Sequence, residues 1–165
     1  MTIAQGSGLV TLPIGQLAFP AAQNPSANAN TLDDYEEGSW TPTVQFGGAS
    51  VGIAYGAATL GRYTKVGRLV TASGIVTLTS KGSSTGGAQI AGLPFTSLSD
   101  SIFSSCAVGY AASFSSVTGA VIAGILANAS KVTIYHSNNG AAAALTNSNF
   151  TNTTTLYFTV SYDAA

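Results

Sequence analysis

Residues 156–162 read Leu-Tyr-Phe-Thr-Val-Ser-Tyr, and this alternation limits what the chain can fold into more than any other feature. In an extended segment Leu156, Phe158, Val160 and Tyr162 share one face, while Tyr157, Thr159 and Ser161 share the other. A period of two marks a strand with one side buried and one side wetted. Residues 131–137 repeat the pattern, with Val132 and Ile134 opposed to Thr133 and Tyr135. Residues 68–80 are long and rich in β-branched side chains, with Gly74 as a bulge or bend. Turn signals separate the runs: Gly47-Gly48, Lys81-Gly82-Ser83, Gly86-Gly87 and Asn138-Asn139-Gly140. The Ala run 141–144 has room for one helical turn at most. Strands at this spacing, without a sustained helical period, predict an all-β protein, an antiparallel β-sandwich of jelly-roll type. The strand pattern begins near Trp40. Residues 1–38 read as an extended N-terminal arm ending in an acidic turn, and 39–165 as the sandwich domain.

Charge sets the next limit. Of 165 residues only 7% are charged, against about 25% in ordinary domains. Such a chain covers itself with Ser, Thr, Asn and Gly, or buries part of its outside against copies of itself. Residues 119–130, Gly-Ala-Val-Ile-Ala-Gly-Ile-Leu-Ala-Asn-Ala-Ser, favour the second course. Val121, Ala123 and Ile125 lie on one face and Ile122 and Leu126 on the other, so both sides want cover. A neighbouring subunit or the protein's own loops would supply it. The net charge of −1 provides no basic excess for nucleic acid or anionic membrane. No apolar run approaches the roughly 20 residues of a membrane-spanning helix. The first twenty residues hold no Lys or Arg and are broken by Gly and Pro, unlike a secretory signal. Cys106 is the single cysteine and reads as a small buried hydrophobe.

Four of the six acidic residues, Asp33, Asp34, Glu36 and Glu37, fall within five positions. A glycosidase pair must face each other across a sugar, which one short segment does not allow. The spacing also lacks the odd-position pattern of a Ca²⁺ loop. No catalytic residue, metal or cofactor is therefore assigned. Four of the five basic residues, Arg62, Lys65, Arg68 and Lys81, are clustered too. The acidic turn is expected to dock on the Arg62–Arg68 hairpin, turning at Lys65-Val66-Gly67, within a subunit or across a boundary. Exposed pairs of this kind contribute only ~0–1 kcal/mol, so their role would be register. The hairpin lacks the Gly-x4-Gly-Lys-Ser/Thr pattern of a phosphate loop. His136 is the single His, in phase with Val132 and Ile134, and offers no second ligand for a metal cluster.

Several blocks together resemble a known family. "FPAAQNPSANANTLDDYEEGSWTPT" (19–43), "GRYTKVGRLVTASGIVTLTS" (61–80) and "IAGLPF" (90–95) occur in order. They are similar to segments of bacteriophage tail-fibre and tailspike proteins: a Phe-Pro-Ala leader, a Leu-Asp-Asp-Tyr-Glu-Glu-Gly turn, an aromatic-Thr-Pro strand, a Gly-x-Tyr-Thr-Lys-x-Gly-Arg hairpin and a Gly-Leu-Pro-Phe turn. The resemblance covers residues 15–95, departs at Ser39-Trp40 and Val66, and stops before 96–165. It implies a β-sandwich that trimerises at the end of a fibre or spike on a virion. Tailspikes of this kind often carry a long enzymatic β-helix ahead of the module. A chain starting at Met1 suggests a short fibre, or a spike mounted elsewhere, such as the capsid.

Together these features give an expected function: non-catalytic attachment of a phage to its host through a surface polysaccharide, as a homotrimer. The N-terminal arm would dock on another virion protein. The alternative is a purely structural head-fibre, decoration or connector protein. Sugars are held by aromatic rings and by amides and hydroxyls around their edge. Candidates for glycan contact are Tyr110, Tyr135, His136, Asn138, Asn139, Asn147 and Asn149, mostly in loops around 135–140 and 146–153. Candidates for the subunit interface are Asp33, Asp34, Glu36, Glu37, Arg62, Lys65, Arg68, Val121 and Ile122.

Overall fold

A computed structural model describes residues 2–3, 10–12, 14–24, 26–28, 30–100, 104–138 and 140–165. Two-residue strands β1 (Thr2–Ile3) and β2 (Val10–Thr11) pair with each other, apart from the rest. The main sheet contains β3 (Tyr35–Trp40), β4 (Thr43–Phe46), β5 (Ile53–Tyr55), β6 (Leu60–Val66), β7 (Leu69–Lys81) and β8 (Ala88–Ala91). It continues with β9 (Ser104–Phe114), β10 (Val121–Ile125), β11 (Lys131–Asn138), β12 (Ala141–Ala144) and β13 (Phe150–Asp163). A single 3₁₀ turn at Asn147–Asn149 is the helical element among the described residues.

All the strand pairs are antiparallel, and the ladder runs β3-β6-β7-β13-β9-β10-β11-β8-β4 without a break. β5 and β12 pair at the side, with β7 and β11. β3 and β4 stand at opposite ends of this path, yet only Thr41 and Pro42 separate them in sequence. Three Cα steps reach about 11 Å at most. The two ends must therefore lie side by side, and the sheet rolls around one core. The all-β, antiparallel expectation holds. The layers facing each other across the core are lengths of one rolled ladder, not two separately paired sheets.

Three local readings change. Gly74 is not a bulge: its register with Gly61 and Phe158 is regular. The β6–β7 turn is Gly67-Arg68, one step later than expected, because Val66 pairs with Leu69. Gly67 takes φ +57°, which suits a two-residue hairpin turn. Residues 141–144 form a strand, β12, because Ala141 pairs with Asn138 beyond Gly140, whose φ is +90°. The hairpin overrides the helical preference of alanine.

The core is organised by one cross-strand row. Trp40 pairs with Gly61, Gly61 with Gly74, Gly74 with Phe158, and Phe158 with Val108. Two glycines in register leave a flat floor between two large rings. A Cβ on Gly61 would stand 2.4 Å from Trp40 Nε1, and one on Gly74 would stand 2.6 Å from Phe158 Cζ. The rings meet edge to face with centroids 6.1 Å apart, and the Trp40 indole donates to the Ser73 carbonyl at 3.1 Å. Elsewhere in the core Phe150 meets Phe46 and Phe114 edge to face, at 5.1 and 4.9 Å. Cys106 is buried, and that burial pushes its thiol up to about 12, so it stays a thiol at neutral pH.

If the glycine floor supports the core, adding one methyl group to it is costly. Gly61→Ala is expected to destabilise the fold by about 1–3 kcal/mol through overpacking against Trp40. Gly87→Ala, with nothing within 4 Å of the new Cβ, should change stability by under about 0.5 kcal/mol. Paired thermal melts check this. Equal midpoints for the two variants would contradict it.

Candidate functional site

The acidic stretch is the start of β3 and the residues just before it, not a free turn, and β3 lies along β6 from Tyr35↔Val66 to Trp40↔Gly61. Alternation sends Asp34 and Glu36 inwards. Asp34 forms an ion pair with Lys65, and both are buried, at 5% and 4% exposure. The Lys65 ammonium also donates to Gln23 Oε1 at 3.4 Å and stands 5.3 Å over the Phe95 ring. The Asp34 carbonyl accepts from the Gly67 amide at 2.8 Å, tying the acid to the hairpin turn. Glu36 accepts from the Tyr63 hydroxyl, and that hydrogen bond, helped by burial, holds the phenol up at about 12. Glu37 accepts from the Tyr35 hydroxyl at 2.9 Å, and Asp33 from the Ser26 amide at 2.8 Å. The Ser26 amide holds the Asp33 carboxyl below its usual value. All four carboxylates are thus engaged within one chain. The hairpin meets them through Lys65. The pair is buried, not exposed as the sequence suggested, so it carries more than register.

The other side of the same strands is open. Across β3, β6, β7, β13 and β9 the register builds three outward rows. The first is Leu60–Ile75–Tyr157–Tyr110. The second is Ser39–Arg62–Ser73–Thr159–Ala107. The third is Glu37–Thr64–Thr71–Ser161, with Thr71 and Ser161 hydroxyls 3.1 Å apart. Two adjoining hollows of about 610 and 350 Å³ lie over these rows and share Arg62 and Ser73. Tyr110 and Tyr157 are 51% and 43% exposed, with ring centroids 5.2 Å apart. Arg62 is exposed, and among the described residues its guanidinium has neither an ion pair nor a hydrogen bond. The trough therefore presents hydroxyls, one free guanidinium, one carboxylate and an aromatic platform.

The sequence-named candidates divide sharply. Tyr110 lies at the end of this trough. Tyr135 is half-buried on an outer face far along the ladder, paired with Ile122. His136 is buried, its Nδ1 3.1 Å from the Thr118 carbonyl oxygen, and its ring is turned into the core. Asn147 and Asn149 close their own turn. Asn147 Oδ1 accepts from the Gly86 amide at 3.0 Å. Asn149 accepts from the Thr146 amide at 3.0 Å and donates to the Ser115 carbonyl at 3.1 Å. For Asn138 the backbone pairing with Ala141 is described, and Asn139 lies outside the described residues. Val121 packs on the core, whereas Ile122 is 40% exposed. Arg68 lines a separate hollow with Asp33 and Ala165. Tyr157, Ser73 and Thr159 were missed. For Tyr157 and Thr159 the signal is the wetted half of the 156–162 alternation, where a tyrosine sits among hydroxyls, and for Ser73 it is the wetted half of 69–81.

A buried ion pair is most costly when halved. Lys65→Met alone should destabilise the protein by about 3–5 kcal/mol, and the double variant Lys65→Met/Asp34→Leu should recover much of that. Urea unfolding of the two variants checks this. A single variant within about 1 kcal/mol of the parent would mean the pair behaves as an exposed one.

No protein-family model and no curated protein matches the chain. Among solved structures, the Dettilon tailspike protein (gp208) is similar in fold, with a TM-score of 0.65 and 22% identity. The match covers 79% of this chain and 24% of that one, so the chain spans about a quarter of that tailspike's length. At this identity the likeness is one of fold: this rolled antiparallel sheet is tailspike-like.

Proposed function

We propose that the chain is a phage virion protein, a fibre or spike module that attaches the particle to its bacterial host by binding a surface polysaccharide without cleaving it. The observation that carries this reading is the fold shared with a phage tailspike over 79% of the chain. The open trough supports binding. It is floored by antiparallel strands, with a register shift between Tyr157 and Phe158 where β13 meets β9, edged by hydroxyls, and ends in two exposed tyrosines. Its lining includes one carboxylate, Glu37, where hydrolysis of a glycosidic bond ordinarily needs two.

The working unit in this reading is a homotrimer. Ile122 at 40% and Leu126 at 50% exposure are the apolar side chains a neighbour would cover. Threefold display would turn weak single-site sugar binding into useful avidity. The arm, with Ile14 at 99% and Leu17 at 66% exposure, would seat on another virion protein. The same exposed residues favour a second reading, a head-fibre, decoration or connector protein whose surfaces meet only other virion proteins.

The purified protein should sediment as a trimer at micromolar concentration, bind encapsulated bacterial cells, and compete with phage adsorption. Ile122→Asp should dissociate it, since an unpaired buried charge costs several kcal/mol. A monomer would refute the trimer. A trimer that neither binds cells nor competes would refute attachment and leave the purely structural role.

A further inference from the structure

The trough can be read for the kind of sugar it takes. We propose that it binds an acidic saccharide, with a uronate-type carboxylate held by Arg62 and a neighbouring sugar ring stacked on the Tyr110–Tyr157 pair. This rests on the attachment reading above and names the ligand class of that site.

The first support is how few cations the chain has and where they are placed. Of five basic residues, Lys65 is committed to Asp34 and Lys81 donates to the Asn147 carbonyl at 3.1 Å, while the side chains of Arg68 and Lys131, which also have neither kind of partner among the described residues, lie outside the trough. Arg62 stands in the middle of the trough with neither kind of partner among the described residues. A guanidinium is always charged and presents a planar fork that matches a carboxylate. In a chain so poor in charge, an unpaired one at the centre of a hydroxyl-lined groove is a selective element. A neutral glycan would not need it.

The second support is the aromatic platform. Tyr110 and Tyr157 sit directly across β9 and β13, tilted at 45°, with Ile75 and Leu60 extending the same row. The axial hydrogens of a sugar ring form an apolar face that lies well on such rings. The third support is spacing. The tyrosine row and the arginine row are two residues apart along each strand, about 7 Å. Tyr157 is two strands from Arg62, about 10 Å across the sheet. One or two sugar units span that diagonal, with Ser73 and Thr159 hydroxyls between. Glu37 lies beyond Arg62, away from the tyrosines, and its like charge directs the ligand's carboxylate to the tyrosine side.

The test uses calorimetry on the full chain with tetrasaccharides of galacturonate, of mannuronate and of hyaluronan, each beside its carboxyl-reduced form. At least one acidic oligomer should bind, more weakly as salt rises, and its reduced form should bind at least about tenfold more weakly. Arg62→Gln should lose on the order of tenfold for the acid and little for the reduced form. Tyr157→Ala should weaken both, and Tyr135→Ala neither. If Tyr157→Ala does not fold, Arg62→Gln decides the matter alone. Equal binding of acidic and reduced forms, an indifferent Arg62→Gln, or no binding by any oligomer would overturn the proposal. So would a change in sedimentation on Arg62→Gln, which would make this face a contact between copies of the chain. Whole-cell binding by the same protein separates the two readings. Cells bound without any acidic oligomer would fail this inference and keep attachment, and neither bound would fail both.

Discussion

The rolled sheet depends on two paired glycines that each take an aromatic ring, Gly61 the ring of Trp40 and Gly74 the ring of Phe158. β3 and β4 are the two ends of the hydrogen-bonded path, and Trp40 is the last residue of β3 before the two-residue link to β4. Its ring must fit under the sheet at the point where the ends come together. Gly61 and Gly74, paired in register, supply that space, and Phe158 closes the row from the other side. Glycine in a strand interior weakens it through entropy and a missing side chain. Here the deficit is offset by two aromatic rings that no other residue pair would admit. Gly92, at φ +92°, packs on the link itself, where a Cβ would meet the Thr41 carbonyl at 2.7 Å.

The same region brings together the leader, the acidic block, the hairpin and the Gly-Leu-Pro-Phe block of the sequence. Each contributes one wall of the space around Lys65. The leader supplies Gln23, and the acidic block supplies Asp34 and Glu36. The hairpin supplies Lys65 and Tyr63, and the Gly-Leu-Pro-Phe block supplies Phe95, 5.4 Å from the Tyr63 ring. The Phe95 carbonyl accepts from the buried Tyr162 hydroxyl at 3.0 Å, which joins the last strand to this cluster. The acids were the puzzle of the sequence, and they are scaffold. The strands they help to fix present Arg62, Ser73, Thr159 and Tyr157 on their opposite face. Inner residues of these strands thus support the fold, and outer residues of the same strands line the trough.

Much of this was legible in the chain. Strict alternation at 156–162 and 131–137 gave the strands and their buried faces, and His136 sits inside in phase with Val132 and Ile134. What failed was non-local. Gly74 looks like a bend until its partners across the sheet are known. The Ala run, too short for more than one helical turn, shows itself as a strand only once Gly140 turns it back on β11. One rolled ladder and a two-sheet sandwich share a strand pattern and differ only in which distant strands pair. The glycan candidates were sought in Asn-rich loops, but Asn147 and Asn149 use their amides to close a turn, as short polar side chains do. The exposed tyrosine pair needs the register of β9 against β13, which crosses nearly fifty residues of sequence.

If the Trp40 row and the Lys65 cluster form one cooperative unit, the edge strand β3 opens only when its neighbours do. Native-state hydrogen exchange tests this directly. Amides of β3, of the β6–β7 hairpin and of residues 92–95 should exchange with opening free energies within about 1 kcal/mol of one another. Exchange of β3 alone, several kcal/mol below β6 and β7, would show an edge strand that frays independently and would contradict a single closing unit.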